Sequence, residues 1–271
     1  MGTSSPTSTA PTPIAIDLLF LSTSIIAGRV YHRPIETATC FFWQEGDQIY
    51  IVTNKHVLLG KEFQTNPQPI TSVDLRCHLS ANLAQSRDVH LPLFANSAPI
   101  WLEHTNPQVD VVLIPVSREI LDGLAVVALG RQNLPPPNLL VGAGESLTAI
   151  GYPIGFYDEI NNLPIARQAT MASAYPLPFR NMPIFVTDAK MHPGMSGAPV
   201  LFVPRGSMRT TGGISIGAFP NVLLGIHSGA WEGSFGIEPL NLNVTWFSSL
   251  IVEILANPQT SRATLPSPPS L

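Results

Sequence analysis

Three short segments of the chain set a reactive side chain beside a turn. In IYIVTNKHV, residues 49–57, an apolar run ends in a turn that presents His56. In VDVVLI, residues 109–114, Asp110 stands at the mouth of an otherwise apolar run. In TDAKMHPGMSGAP, residues 187–199, Ser196 lies between Gly194 and Gly197, just ahead of a new apolar run. A serine hydroxyl is a weak nucleophile until a neighbouring base takes its proton. Histidine is the side chain whose unperturbed pKa suits that exchange near neutral pH, and a carboxylate can orient it. Each segment alone is commonplace, because a lone histidine is usually structural and glycine-flanked serines arise by chance. The three together, in the order His, Asp, Ser, are the complement that nucleophilic catalysis needs. His192 is a poorer base for Ser196, since it shares the same loop and the backbone constrains their approach.

These side chains need elements to hold them. Short apolar or alternating runs recur with turn residues between them, in two groups. Ile14–Leu21, Cys40–Trp43, Ile49–Thr53, Val73–Leu79, Val89–Phe94 and Val109–Val116 form the first. After the break at Pro135–Pro137 come Leu147–Ile150, Ala166–Ala172, Ile184–Asp188, Pro199–Val203, Val222–His227 and Phe235–Leu240. Two groups of about six strands predict an all-β fold of two antiparallel barrels or sandwiches. Only Val244–Leu255 shows a helix-length apolar pattern, with Asn243 as its N-cap. The expected organisation is a tail over 1–13, a unit over 14–134 carrying the histidine and aspartate, and a unit over 135–243 carrying the serine. A helix over 244–256 and a second mobile, Ser/Pro-rich tail over 257–271 follow, with no accessory domain after the helix.

Composition narrows the function classes. Of 271 residues, 45% are hydrophobic and only 12% charged, which argues against intrinsic disorder. The net charge is −4 and the 14 basic residues are scattered, so no nucleic-acid-binding face is expected. Two cysteines supply neither a disulfide framework nor a zinc site, and no metal or cofactor is expected. Cys77 falls in the alternating run Val73, Leu75, Cys77, Leu79 and reads as a small core residue. The apolar stretch from Ile14 to Ala27 lacks a preceding Lys or Arg and is interrupted by Asp17. It fits neither a signal peptide nor a membrane span, which predicts a cytoplasmic protein without membrane contact. His32, His78, His90 and His104 read as surface residues, and Asp188 as a loop anchor.

TNKHV (53–57), VDVVLI (109–114) and GMSGAP (194–199), with GYPIG (151–155) and LLGIHSG (223–229), resemble five sequence blocks of the trypsin-like, chymotrypsin-fold serine peptidases. The pattern is closest to the bacterial Htr-type and glutamyl-endopeptidase branches and runs from about Thr39 to Leu255. The resemblance implies two antiparallel six-stranded β-barrels with a cleft between them and a short C-terminal α-helix. It implies a serine endopeptidase acting on a peptide or protein substrate, with His56, Asp110 and Ser196 as the triad. The backbone N–H groups of Gly194 and Ser196 would form the oxyanion hole, and Lys190, Met191, His227, Ser228 and Gly229 would bind substrate. A histidine at His227 resembles the one with which glutamyl endopeptidases and viral relatives bind Glu or Gln. Met195 stands where digestive-type relatives carry an acidic residue that pairs with a liberated N-terminus. Activation by such a cut is therefore not expected, and restraint by a regulatory protein partner or by narrow specificity is. The competing expectation is a catalytically idle module that binds a peptide or partner in its cleft.

Overall fold

The computed structural model describes residues 16–80, 82–231 and 240–267. In the first half, antiparallel strands β1 (Thr23–Val30), β2 (Arg33–Glu45), β3 (Gln48–Thr53), β4 (Ser72–Leu79), β5 (Asn82–Pro92), β6 (Leu102–Glu103) and β7 (Val112–Val116) belong to one ten-stranded sheet. A five-residue helix, α1 (Lys55–Leu59), follows β3. Residues 38–43 of β2, with β3 and β7, are mostly apolar because both faces of this part of the sheet are covered. Cys40, Phe42, Ile51 and Ile114 face a core inside the first half with Ile26, Leu75 and Trp101. The alternate residues Phe41, Trp43, Val52 and Leu113 face the second half, where Ile150, Ile184, Leu201 and Ile226 meet them. One apolar cluster thus spans the two halves.

The second half is a closed antiparallel barrel of six strands: β8 (Ser146–Gly151), β9 (Ile165–Met171), β10 (Ile184–Asp188), β11 (Pro199–Phe202), β12 (Val222–Ala230) and β13 (Leu242–Phe247). Around the barrel the order is β8, β9, β10, β13, β12, β11. Its interior is filled by Leu147, Ala149, Met171, Phe185, Val200 and Leu224. The first half, by contrast, pairs as a sheet running from Leu124–Ala125 through β4, β1, β2, β3, β7 and β6 to a last short strand near the C-terminus.

Four local expectations are corrected. Within the Ile14–Leu21 run, Leu18–Leu21 form a 3₁₀ turn, capped by the Asp17 carboxylate accepting from the Leu19 N–H at 2.9 Å, and the first strand comes after it at Thr23. The sixth barrel strand is Leu242–Phe247, whereas the expected Phe235–Leu240 lies, apart from Leu240, outside the described residues. Asn243 is consequently inside a strand and caps no helix. The helix, α2, is Ser249–Ala256, and it lays Leu250, Ile251 and Ile254 on the shared core. The strand wins over a longer helix because Leu242–Phe247 closes the barrel, pairing with β10 on one side and β12 on the other. Finally, residues 257–267 do not hang free. Strand β14 (Gln259–Thr260) pairs with β6, Ser261 is buried, and the Tyr31 hydroxyl donates to the Pro266 carbonyl at 2.5 Å. The tail expected over 1–13 lies outside the described residues.

Candidate active site

His56, Asp110 and Ser196 meet where the two halves face each other. Pairing of β3 with β7, with Thr53 opposite Val112, brings the chain after β3 beside Asp110, two residues before β7. The Asn54 carboxamide then donates to the Asp110 carbonyl at 2.7 Å. One carboxylate oxygen of Asp110 accepts from the His56 backbone N–H at 2.8 Å, and the other lies 2.7 Å from His56 Nδ1. A carboxylate can only accept there, so Nδ1 carries the proton and Nε2 is left with a free lone pair. His56 Nε2 lies 3.0 Å from Ser196 Oγ. Ser196 arrives from the other half, on the loop between β10 and β11. The Ser228 hydroxyl donates to Asp110 Oδ2 at 2.7 Å, and the Ser228 carbonyl lies 2.9 Å from Ser196 Oγ.

Charge supports this order. Burial works against the charged form of His56, but the charge and hydrogen bond of Asp110, helped by Glu36, outweigh it, with Lys61 opposing. The imidazole is held above its ordinary pKa, so its cation is stabilised where it would form.

The serine loop depends on glycine at two places. Gly194 has φ +91°, and a Cβ there would come 2.4 Å from the Tyr152 carbonyl. Gly197 has φ +85°, and a Cβ would come 2.1 Å from the Thr39 carbonyl. Both space and conformation exclude a side chain at each. The Pro193 carbonyl accepts from the Ile154 N–H at 2.5 Å, and the Met195 carbonyl accepts from the Ala198 N–H at 2.9 Å. In a trans peptide the N–H opposes the C=O, which turns the N–H groups of Gly194 and Ser196 the other way. Neither has a protein acceptor among the described residues, and both residues line the cleft. Met195 itself is fully buried in the barrel core.

A cleft of about 750 Å³ opens beside Ser196. Met191, His192 and Pro193 form one wall and His227, Ser228 and Gly229 the other, with Asn243 and Val244 also lining it. His227 is 2% exposed, and its Nδ1 is buried without a hydrogen-bond partner among the described residues. Burial, reinforced by the nearby charge of His56, pushes its pKa down to about 4, so the ring is neutral near neutral pH. Lys190, expected among the substrate-binding residues, is exposed and outside this lining, and its carbonyl is bonded by Arg167. His78, expected at the surface, is buried, with Nε2 2.8 Å from the Asn161 carbonyl. Sequence reading missed Asn243, whose carboxamide donates to the Ala189 carbonyl at 2.6 Å and so fixes the chain leading into the serine loop. It also missed Glu36, Lys61 and Phe63 on the opposite rim. No motif marks these residues, because their position comes from the closure of the fold.

The profile of the family described as "Trypsin-like peptidase domain" matches residues 38–208, well over half of the chain. The chain belongs to the trypsin-like peptidase family. Solved structures resembling this serine peptidase include the serine endoprotease from Yersinia pestis, at 15% identity and a TM-score of 0.52, over 90% of this chain and 67% of that one. A scabies mite inactivated protease paralogue is similar at 15% identity and a TM-score of 0.51, over 89% and 95% of the two chains. A thermostable serine protease from an extremophilic microorganism is similar at 11% identity and a TM-score of 0.50, over 85% and 93%. At such identities the likeness is one of fold. No curated protein matches the chain significantly. No helix among the described residues is long and apolar enough to cross a membrane.

Proposed function

We propose that this peptidase is a serine endopeptidase that opens peptide bonds through an acyl-enzyme formed on Ser196. The observation that carries the reading is the unbroken chain from the Asp110 carboxylate through His56 to Ser196 Oγ, with contacts of 2.7 and 3.0 Å. As Ser196 Oγ attacks the scissile carbonyl carbon, its proton passes to His56 Nε2. Asp110 holds the ring in the required tautomer and stabilises the imidazolium. The carbonyl oxygen becomes an oxyanion facing the N–H groups of Gly194 and Ser196, each such donor contributing about 2.7–4 kcal/mol to the transition state. Collapse of the tetrahedral adduct breaks the C–N bond, and His56 returns the proton to the leaving amine. Water then attacks the ester, with His56 again taking and returning a proton, and Ser196 is released.

His227, a neutral imidazole lining the cleft wall, supports a preference for Glu or Gln before the scissile bond. An apolar side chain would leave the imidazole unsatisfied, and a site that hydrogen-bonds its substrate can discriminate by ~10⁴–10⁵. Met191, Ser228 and Gly229 would shape the rest of that subsite. Such selectivity would restrain the enzyme without a protein partner. Cleavage of a peptide library tests both parts. Ser196→Ala should abolish cutting while retaining the folded far-UV spectrum. The wild-type chain should cut after Glu or Gln, and His227→Ala should lose that preference. Predominant cutting after Leu, Val or Ala would sink the specificity, and cutting that persists in Ser196→Ala would sink the mechanism.

A further inference from the structure

The serine loop is held from across the cleft by Thr39, a residue of the first half. Thr39 is fully buried on β2 and uses each of its polar groups. Its N–H donates to the Ser196 carbonyl at 2.9 Å. Its hydroxyl donates to the Gly194 carbonyl at 2.8 Å and accepts from the Tyr152 N–H at 3.0 Å. Its own carbonyl accepts from the Thr53 hydroxyl at 2.9 Å. The Tyr152 N–H can only donate, so the Thr39 hydroxyl proton is directed at Gly194. The surrounding chain is shaped to receive it: a Cβ on Gly151 would come 2.6 Å from Thr39 Oγ1, and one on Gly197 2.1 Å from the Thr39 carbonyl.

We infer that Thr39 is the positioning residue that fixes the two oxyanion donors of this peptidase. The inference rests on the acyl-transfer reading above. The carbonyls Thr39 grips belong to the peptides after Gly194 and after Ser196, each adjacent to a peptide that carries a donor N–H. Rotation of either would swing the neighbouring donor away from the substrate oxygen. Within the barrel half the loop is tied through the Pro193 and Met195 carbonyls to Ile154 and Ala198, and through the Met195 and Gly197 N–H groups to the His192 and His227 carbonyls at 3.2 and 2.9 Å. Thr39 alone joins the loop's carbonyls to the strand that continues into Thr37 and Ala38 at the cleft rim. It takes the place of an ion pair, which the apolar, buried Met195 cannot form.

Hydrolysis of p-nitrophenyl acetate by the full chain tests this, because the ester needs the oxyanion donors and fills little of the cleft. Thr39→Val removes the hydroxyl with little change of shape. It should lower kcat about 10- to 10²-fold, approaching the loss seen when one oxyanion donor is deleted, with KM within about twofold. Thr39→Ser restores the hydroxyl and should return kcat to within about threefold of wild type. The rate of Ser196 labelling by a fluorophosphonate should follow kcat across the series. Wild-type kcat in a folded Thr39→Val, or a rise in KM with kcat unchanged, would overturn the role. If Thr39→Val does not fold, Thr39→Ser decides: a loss of kcat above tenfold with the hydroxyl present overturns it, and retained kcat supports it. Absence of Ser196-dependent hydrolysis in the wild-type chain would overturn the acyl-transfer reading itself, and this role with it.

Discussion

If His56 is the general base, its titration governs how the rate depends on pH. The proposed base must be neutral to accept the Ser196 proton, and its pKa is raised above the ordinary imidazole value by Asp110 and Glu36 against the pull of burial and Lys61. kcat/KM should therefore rise with pH through an inflection above the ordinary value of about 6.5. Asp110→Asn should lower kcat by up to about 10⁴ by favouring the wrong tautomer, and a pH–rate profile of both proteins measures it. An inflection below 6 in the wild-type chain would contradict the assignment. The same raised pKa stabilises the folded chain below the unfolded value, a contribution lost as pH rises through the folded one. His227 acts in the opposite sense. Its folded pKa of about 4 favours the fold above about 6.5, and that contribution disappears as pH falls toward 4. The difference corresponds to about 3 kcal/mol, so His227→Gln should flatten the loss of stability between pH 6.5 and 4 in urea melts. An unchanged slope would show the ring to be protonated or solvated in the fold. His56, Asp110 and Ser196 could be picked out in the sequence because each abuts an apolar run. Thr39 could not, since its role depends on partners 113 to 157 residues away that only the fold brings near.

At the scale of elements, the tightest constraint is the turn after Ser196. Gly197→Ala must place a Cβ against the Thr39 carbonyl in a left-handed backbone. Strain and overpacking together should cost about 2–5 kcal/mol, and the loop should shift enough to slow Ser196 labelling. Equal denaturation midpoints for variant and wild type would disprove the close approach. The C-terminal strand makes a different prediction. Removing residues 257–271 deletes the β14–β6 pairing and the Tyr31–Pro266 hydrogen bond. Stability should fall by about 1–3 kcal/mol, as expected for a few lost hydrogen bonds, while the rate of Ser196 labelling holds. An unchanged melting midpoint would mean that the segment does not hold the sheet. Strands with alternating or continuous apolar runs were legible in the sequence, including β3, β4, β7, β8 and β10. The strand at Leu242–Phe247 was not, because Val244, Trp246 and Phe247 also suit a helical face, and only the barrel's unfilled sixth place decides between them. The pairing of Gln259–Thr260 was hidden for a similar reason: a polar edge strand of two residues carries no periodicity.

At the scale of the molecule, the shared apolar cluster makes the two halves one packing unit. Phe41, Trp43 and Leu113 from the first sheet meet Ile184, Leu201 and Ile226 of the barrel and Leu250 and Ile254 of the helix. The loop carrying Ser196 and the strand carrying Thr39 are joined across that unit, and Met195 is packed in the core rather than awaiting an ionic partner. With the loop packed in this way, no cut near residues 14–30 is expected to be needed to order the cleft. The central claim, that Ser196 is the activated nucleophile of a preformed site, is tested most directly by treating the purified, uncut chain with a fluorophosphonate and locating the adduct by mass spectrometry. A single adduct on Ser196 is expected, formed without proteolytic shortening, slowed in His56→Ala and absent from Ser196→Ala. An uncut chain that forms no adduct, or one modified elsewhere with Ser196 left free, would contradict it.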